Sequence, residues 1–154
     1  MQKIQLQALL AGLLLLCISG TTAANATQSA IKKVYYQWCS AIGTAKGNSA
    51  AIIKFYAPNA ILLPTLSAKI LVNQHGGLDA YFKKLTNYPH IKCTTKKLIT
   101  HVHGEIATNS GLYQFSYNEK NGKKIVLPAR FTFVYKKFTH KWLIIKHHSS
   151  ATPY

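Results

Sequence analysis

Arg130 is the sole arginine among 19 basic residues. Lysine meets the general need for positive charge in this chain, so a lone guanidinium in an apolar segment points to its planar fork. That fork can hold a carboxylate or phosphate through two parallel hydrogen bonds. Strand alternation sets Arg130, Thr132 and Val134 on one face, and Phe131, Phe133 and Tyr135 on the other. The competing use is an ion pair with Glu105 or Glu119, because a buried guanidinium needs a counter-charge.

The run His147-His148-Ser149-Ser150 carries a second possible chemistry. Neighbouring residues of a strand face opposite ways, so one of His147 and His148 looks inward and the other outward. Alternation groups His148 and Ser150 with Trp142 and Ile144, and His147 with Ser149. An inward imidazole could serve as a general base or a hydrogen-bond donor. A structural histidine is the commoner outcome, as no acidic residue is placed by sequence to orient the ring. A Ser-His-Asp triad would need Asp79, the sole aspartate, which falls in the first turn of a helix. His101 and His103 share one face of another strand, a weak metal-binding pattern that Glu105 continues in parity. The break at Gly104-Glu105 argues against it, and no metal is expected. Cys39 and Cys93 either form a disulfide or leave Cys39 as a buried thiol on the apolar stripe of a helix. No cofactor motif is present.

These residues sit in a chain with a clear order. Met1–Gln7 carry one positive charge, Ala8–Ile18 are apolar, and Ala24-Asn25-Ala26 has the small-x-small form of a processing site. The pattern predicts a secretory signal peptide over 1–26, cleavage after Ala26, and a single periplasmic or secreted domain over 27–154. The apolar run is about a dozen residues against the roughly 20 that a bilayer needs, so no membrane span is predicted. The net charge is +16, with three acids, Asp79, Glu105 and Glu119. The lysines are scattered in pairs rather than blocks. This suits a solvated basic surface, with no specific nucleic-acid partner.

Helical spacing of Ile31, Val34, Tyr35, Trp38 and Ile42 predicts a helix over 29–43. A second, short helix is predicted from Asn48 or Ser49 through Tyr56, stopped by Pro58-Asn59. A short strand follows at Ala60–Leu63, then a third helix opened by Gly76-Gly77 and carrying Leu78, Tyr81, Phe82 and Leu85. From there the period changes to two. Strands are predicted at 93–103, 106–117, 125–137 and 141–150, with a hairpin signal at Asn121-Gly122. Three helices followed by an antiparallel meander make an α+β domain.

The ordered set of Trp38, FYAPNAILLPTLS at 55–67, LDAYFKKL at 78–85, SGLYQF at 110–115, ARFTFVY at 129–135 and KWLIIKHHSSATP at 141–153 resembles the nuclear transport factor 2-like superfamily. Within it, the chain resembles the bacterial branch, also called SnoaL-like, that is grouped with the association domain of calcium/calmodulin-dependent protein kinase II. The resemblance implies a cone in which a curved sheet wraps the first helix and leaves a pocket at its open end. It places Arg130 at the border of that pocket, lets Tyr113 and Phe115 line it, and makes Gly104-Glu105 a turn. Superfamily enzymes that move protons commonly place a carboxylate in the cone, and this chain has too few acids for that. Fold alone does not set function here.

The expected function is therefore non-catalytic. It is binding of a small anionic or amphipathic molecule, or of a partner protein, by a homodimeric domain. The expected site is Arg130, Thr132, His148, Ser150, Tyr113 and Trp38, with His147 as the other candidate for the inward ring. Two alternatives stand beside it: an isomerase, cyclase or lyase that uses a pocket histidine as base, and a basic protein that docks to an acidic envelope surface or partner.

Overall fold

The structure is a computed structural model that describes residues 24–153 apart from His75. The segment preceding Ala24, which holds most of the expected leader, lies outside the described residues. Helix α1 spans 24–44, longer at its start than the periodicity alone predicts, with Ala24-Asn25-Ala26 in its first turn. Its core face is set by spacing. Ile31, Tyr35, Trp38 and Ile42 recur every three or four positions and are all but inaccessible to solvent.

One turn of helix, α2 (Ala50–Ile53), follows, and the chain enters β1 (Tyr56–Leu63) at once. This corrects the expected helix through Tyr56. Pro58 and Asn59 do not stop a helix; they are exposed residues inside β1. They lie where its pairing with the last strand is interrupted, between Tyr56 and Ile61. A proline without an N–H is tolerated there because no ladder bond is asked of it. Strand β2 (Leu71–Val72) is too short to show a period and was not expected. Helix α3 (Asp79–Thr86) buries Phe82 and Leu85, and Ser49 Oγ donates to Asp79 Oδ1 at 2.5 Å, tying α3 to the start of α2.

The last four strands are β3 (Lys92–His103), β4 (Ile106–Asn118), β5 (Lys124–Phe138) and β6 (Lys141–Ala151). Each extends at most one residue beyond either predicted border, because alternation and turn residues both mark the breaks. With β1 and β2 they form a six-stranded, curved sheet of order β2-β1-β6-β5-β4-β3. All pairs are antiparallel except β1 with β6.

Two irregularities shape the sheet. In β3 the register with β4 slips between Thr95 and Lys97. Gly111 lies opposite, and a Cβ there would meet the Lys97 carbonyl oxygen at 2.0 Å, so only glycine admits this approach. In β6, Val134 pairs with Lys146 while its neighbour Tyr135 pairs with Ile144, leaving Ile145 as the extra residue of a bulge. Cys39 of α1 and Cys93 of β3 are joined by a disulfide with Cα atoms 5.4 Å apart, so Cys39 is not a free buried thiol.

Candidate functional site

The bulge at Ile145 decides which histidine faces inward. Simple alternation puts His147 opposite Ile144, but one extra residue restores them to the same side. Ile144 (0 % exposed) and His147 (3 %) are both buried, and His148 is exposed. The inward histidine is thus His147, and its neighbours are Trp38, Phe133 and Tyr56, with ring centroids 5.4, 4.0 and 6.1 Å away.

A chain of hydrogen bonds runs through this centre. Trp38 Nε1–H donates to Tyr56 Oη at 3.1 Å, and Tyr56 Oη lies 2.8 Å from His147 Nδ1. His147 Nε2 stands 3.5 Å from Tyr113 Oη, and Tyr113 donates to Ser149 Oγ at 2.5 Å. Ser149 Oγ in turn meets Thr65 Oγ1. The protons can be assigned by elimination. The Tyr113 proton goes to Ser149, so Nε2 of His147 carries its own proton and points it at Tyr113. Nδ1 is then the acceptor for Tyr56. From Trp38 to Ser149 each donor has one acceptor, and these bonds all run in one direction.

Burial, assisted by the neighbouring His148, holds the His147 imidazole well below its ordinary pKa, so it is neutral at physiological pH. Burial pushes the Tyr56 and Tyr113 phenols well above theirs. Tyr35, which meets Thr95 Oγ1 at 3.1 Å at another point of the cone wall, is pushed up to about 12 by the same cause. A second buried group joins Thr100, Asn109 and Tyr135, with Asn109 Oδ1 accepting from Thr100 at 2.7 Å. No carboxylate enters either network.

The interior is filled by rings. Tyr35 stacks on Phe131 at 5.1 Å, Tyr113 tilts against Phe131 at 4.5 Å, and Trp38 meets Phe133 edge-on at 4.9 Å. Trp38 and Tyr113, expected to line a ligand pocket, are instead 1 % exposed within this packing. The groups of the cone thus hold one another, with their protons already committed, and present no charged base to solvent.

The rest of the expected site lies on the opposite side of the sheet. Arg130, Thr132 and His148 are exposed and Ser150 half-buried, and together with Phe131 they bound a shallow depression of about 240 Å³. This corrects the placement of Arg130 at the border of the cone pocket. In β5 it has the opposite parity to Phe131, Phe133 and Tyr135, and burying three aromatic rings outweighs burying one guanidinium. Neither Glu105 nor Glu119 serves as its partner: among the described residues no carboxylate pairs with Arg130. Its Nε donates to Ser150 Oγ at 3.0 Å, and Thr132 Oγ1 lies 3.2 Å from Ser110 Oγ. The expected set is therefore split, four residues together outside and two inside. Tyr56, Thr100 and Asn109, which are buried, and Thr65, which is half-buried, are network residues that the sequence reading did not single out. The parity of β1, read as a strand from Tyr56, is the signal that could have found Tyr56.

His101 and His103 are exposed on the outer face of β3 with ring centroids 6.4 Å apart. Glu105 lies in the turn that follows, its carbonyl accepting from the Lys137 amide at 2.9 Å. Among the described residues no group of three metal-binding side chains forms, and no helix is long and apolar enough to cross a membrane.

Strand register makes the outer face legible row by row. Ile99, Ser110, Thr132, His148 and Leu63 lie side by side across five strands, and Lys97, Leu112, Arg130 and Ser150 form the adjacent row. Ile99 (45 % exposed), Leu112 (41 %) and Val126 (48 %) are among its apolar members. The central row contains no lysine.

An α1 helix wrapped by this sheet order defines the nuclear transport factor 2-like fold. A protein of that superfamily from Salmonella enterica aligns with a TM-score of 0.74 at 13% identity, over 84% of this chain and 94% of its own. More specifically, the sequence profile of the calcium/calmodulin dependent protein kinase II association domain matches residues 27–153, and the chain belongs to that family. A protein from Xanthomonas campestris assigned to the same association domain is 35% identical over 80% of this chain and 86% of its own, with a TM-score of 0.72. The association domain of the C. elegans kinase aligns at 13% identity with a TM-score of 0.66, covering 83% of this chain and 98% of that domain. A protein from Streptomyces avermitilis assigned as a dehydratase of the superfamily also shares the fold, at 11% identity, a TM-score of 0.74, and coverage of 85% of this chain and 99% of its own. The superfamily thus holds both enzymes and non-catalytic domains. No curated protein sequence matches the chain.

Proposed function

We propose that this protein is a non-catalytic association module, exported to an oxidising compartment, that pairs with a second copy through the outer face of β3 to β6. The observation that carries this reading is the outer row of Ile99, Ser110, Thr132, His148 and Leu63. It is a lysine-free strip on a chain of net charge +16, with exposed Leu112 in the adjacent row and exposed Val126 further along the same face of β5. Apolar and hydroxyl side chains at the centre with cations at the margin are the composition of a contact patch. The filled cone supports the same reading, since it leaves a partner an outer surface rather than an interior cavity. The Cys39–Cys93 bond supports the compartment.

Two like-charged copies repel at long range, so added salt should tighten self-association by screening. An acidic partner would show the opposite dependence. Sedimentation velocity across a concentration series tests both points. The wild type is expected to form a dimer whose affinity rises with salt. Leu112→Lys is expected to weaken it by about tenfold or more, because it places a charge in the apolar patch. Leu112 is well exposed, so this change should leave the fold intact, which circular dichroism checks. A wild type that stays monomeric at all concentrations would refute self-association. Retention of the protein on an acidic partner, lost at high salt, would then favour docking to an acidic surface.

A further inference from the structure

We propose that Arg130, Thr132, His148 and Ser150 form a binding site for a small oxyanion, phosphate or carboxylate, on the outer face of the sheet. The site deepens the association reading, because it lies in the same face, but its own existence is measured separately.

Four observations carry it. The first is residue choice: every other cation of the chain is a lysine, so charge alone does not explain Arg130. The second is orientation. Arg130 Nε is held by Ser150 Oγ at 3.0 Å, which fixes the guanidinium plane and leaves both terminal amino groups to bind two oxygens of one ligand. The third is convergence. Arg130 and Ser150 are direct cross-strand partners, as are Thr132 and His148 in the next row, so the four side chains bound one depression of about 240 Å³. The fourth is the lack of an internal counter-charge. Among the described residues no carboxylate pairs with Arg130. Asp79 is bonded to Ser49, and Glu119 lies in the β4–β5 turn with Asn121 Nδ2 at 3.5 Å.

Electrostatics favours the same ligand class. Lys97 and Lys146 lie on the same face in the rows around Arg130. When two such faces approach, the cations of both are brought together, and three acids per chain cannot neutralise them. An oxyanion seated on Arg130 would relieve that repulsion and so strengthen pairing.

The test is titration of the whole protein with inorganic phosphate and, separately, with acetate, in chloride buffers of matched ionic strength. Binding is read by isothermal calorimetry and by chemical shifts of the His148 ring. Saturable phosphate binding is expected, weakened about tenfold or more in Arg130→Gln and clearly weakened in Arg130→Lys, which keeps the charge but loses the fork. Lys33→Gln, on α1 far from the site, should have no effect. If acetate competes with phosphate, a carboxylate is an equally good occupant; if it does not, the site prefers phosphate. No saturable binding of either anion, or equal binding by wild type and Arg130→Gln, would overturn the proposal. So would Arg130→Lys binding as well as wild type, which would leave only a general basic surface. Sedimentation in the same buffers separates the two ideas: phosphate bound through Arg130 with no dimer in any buffer would keep the site and reject the association reading.

Discussion

Removing the disulfide, as in the double variant Cys39→Ala/Cys93→Ala, is expected to lower stability by about 4 kcal/mol, within a range of about 2–5 kcal/mol for domains of this kind. The two cysteines are 54 residues apart in sequence. A loop of that length gives the unfolded chain considerable freedom that the cross-link removes. The bond also joins elements that the sheet does not tie directly. Strand β3 is an edge strand, hydrogen-bonded on one side only, to β4. The disulfide anchors the start of β3 to α1, the helix that carries Trp38 and Tyr35 into the core. Urea denaturation of the variant and the wild type, each with and without reductant, measures the effect. The variant should unfold at a markedly lower urea concentration, and reductant should bring the wild type to the same midpoint. Equal midpoints for all four samples would show that the cross-link contributes nothing.

Acid is expected to destabilise the fold through His147. In the unfolded chain its imidazole titrates near 6.5, while in the fold burial holds it well below that. Where the unfolded chain takes up a proton that the folded chain refuses, protons favour unfolding. The stabilisation is therefore complete above the ordinary imidazole range and declines as pH falls through it, by up to about 1.4 kcal/mol per pH unit. Protonation would also break the chain of hydrogen bonds, because Nδ1 could no longer accept from Tyr56. The buried phenols set the other limit. Tyr56, Tyr113 and Tyr135 are raised by burial, so their share of stability is present below the ordinary tyrosine value of 10.0 and lost as pH rises past it. Urea midpoints across pH should form a plateau between these limits. The ring signals of His147 should remain those of a neutral imidazole well into the acid range, and His147→Gln should flatten the acid limb. A His147 ring that titrates near 6.5 in the folded protein would contradict this account.

The strands were legible because two independent signals agree along them. Period-two alternation fixes each body, and Gly104-Glu105 and Asn121-Gly122 fix two of the borders. Helix α1 was legible from the stripe of Ile31, Tyr35, Trp38 and Ile42. Long-range pairing was not. Strand β1 pairs in parallel with β6, which follows it by some 80 residues, and its Pro58-Asn59 reads locally as a helix stop. The inward histidine was hidden for a similar reason. The bulge at Ile145 arises from the match of β6 to β5, and nothing in the sequence of β6 announces it. Arg130 is different. Alternation already set it opposite three aromatic residues, and those rings are what an interior face requires. The family resemblance placed it at a pocket, and the local physical signal was the better guide to its side. That the four residues Arg130, Thr132, His148 and Ser150 meet at all follows from strand parity and register together.

Hydroxyl-radical footprinting at low and high protein concentration shows whether the sheet exterior is the contact surface. Ile99, Leu112 and Val126 are expected to lose reactivity as concentration rises, while Tyr36, exposed on α1, keeps its reactivity unchanged. Protection of Tyr36 with continued full reactivity of Leu112 and Val126 would place the contact elsewhere and contradict its location on the sheet exterior.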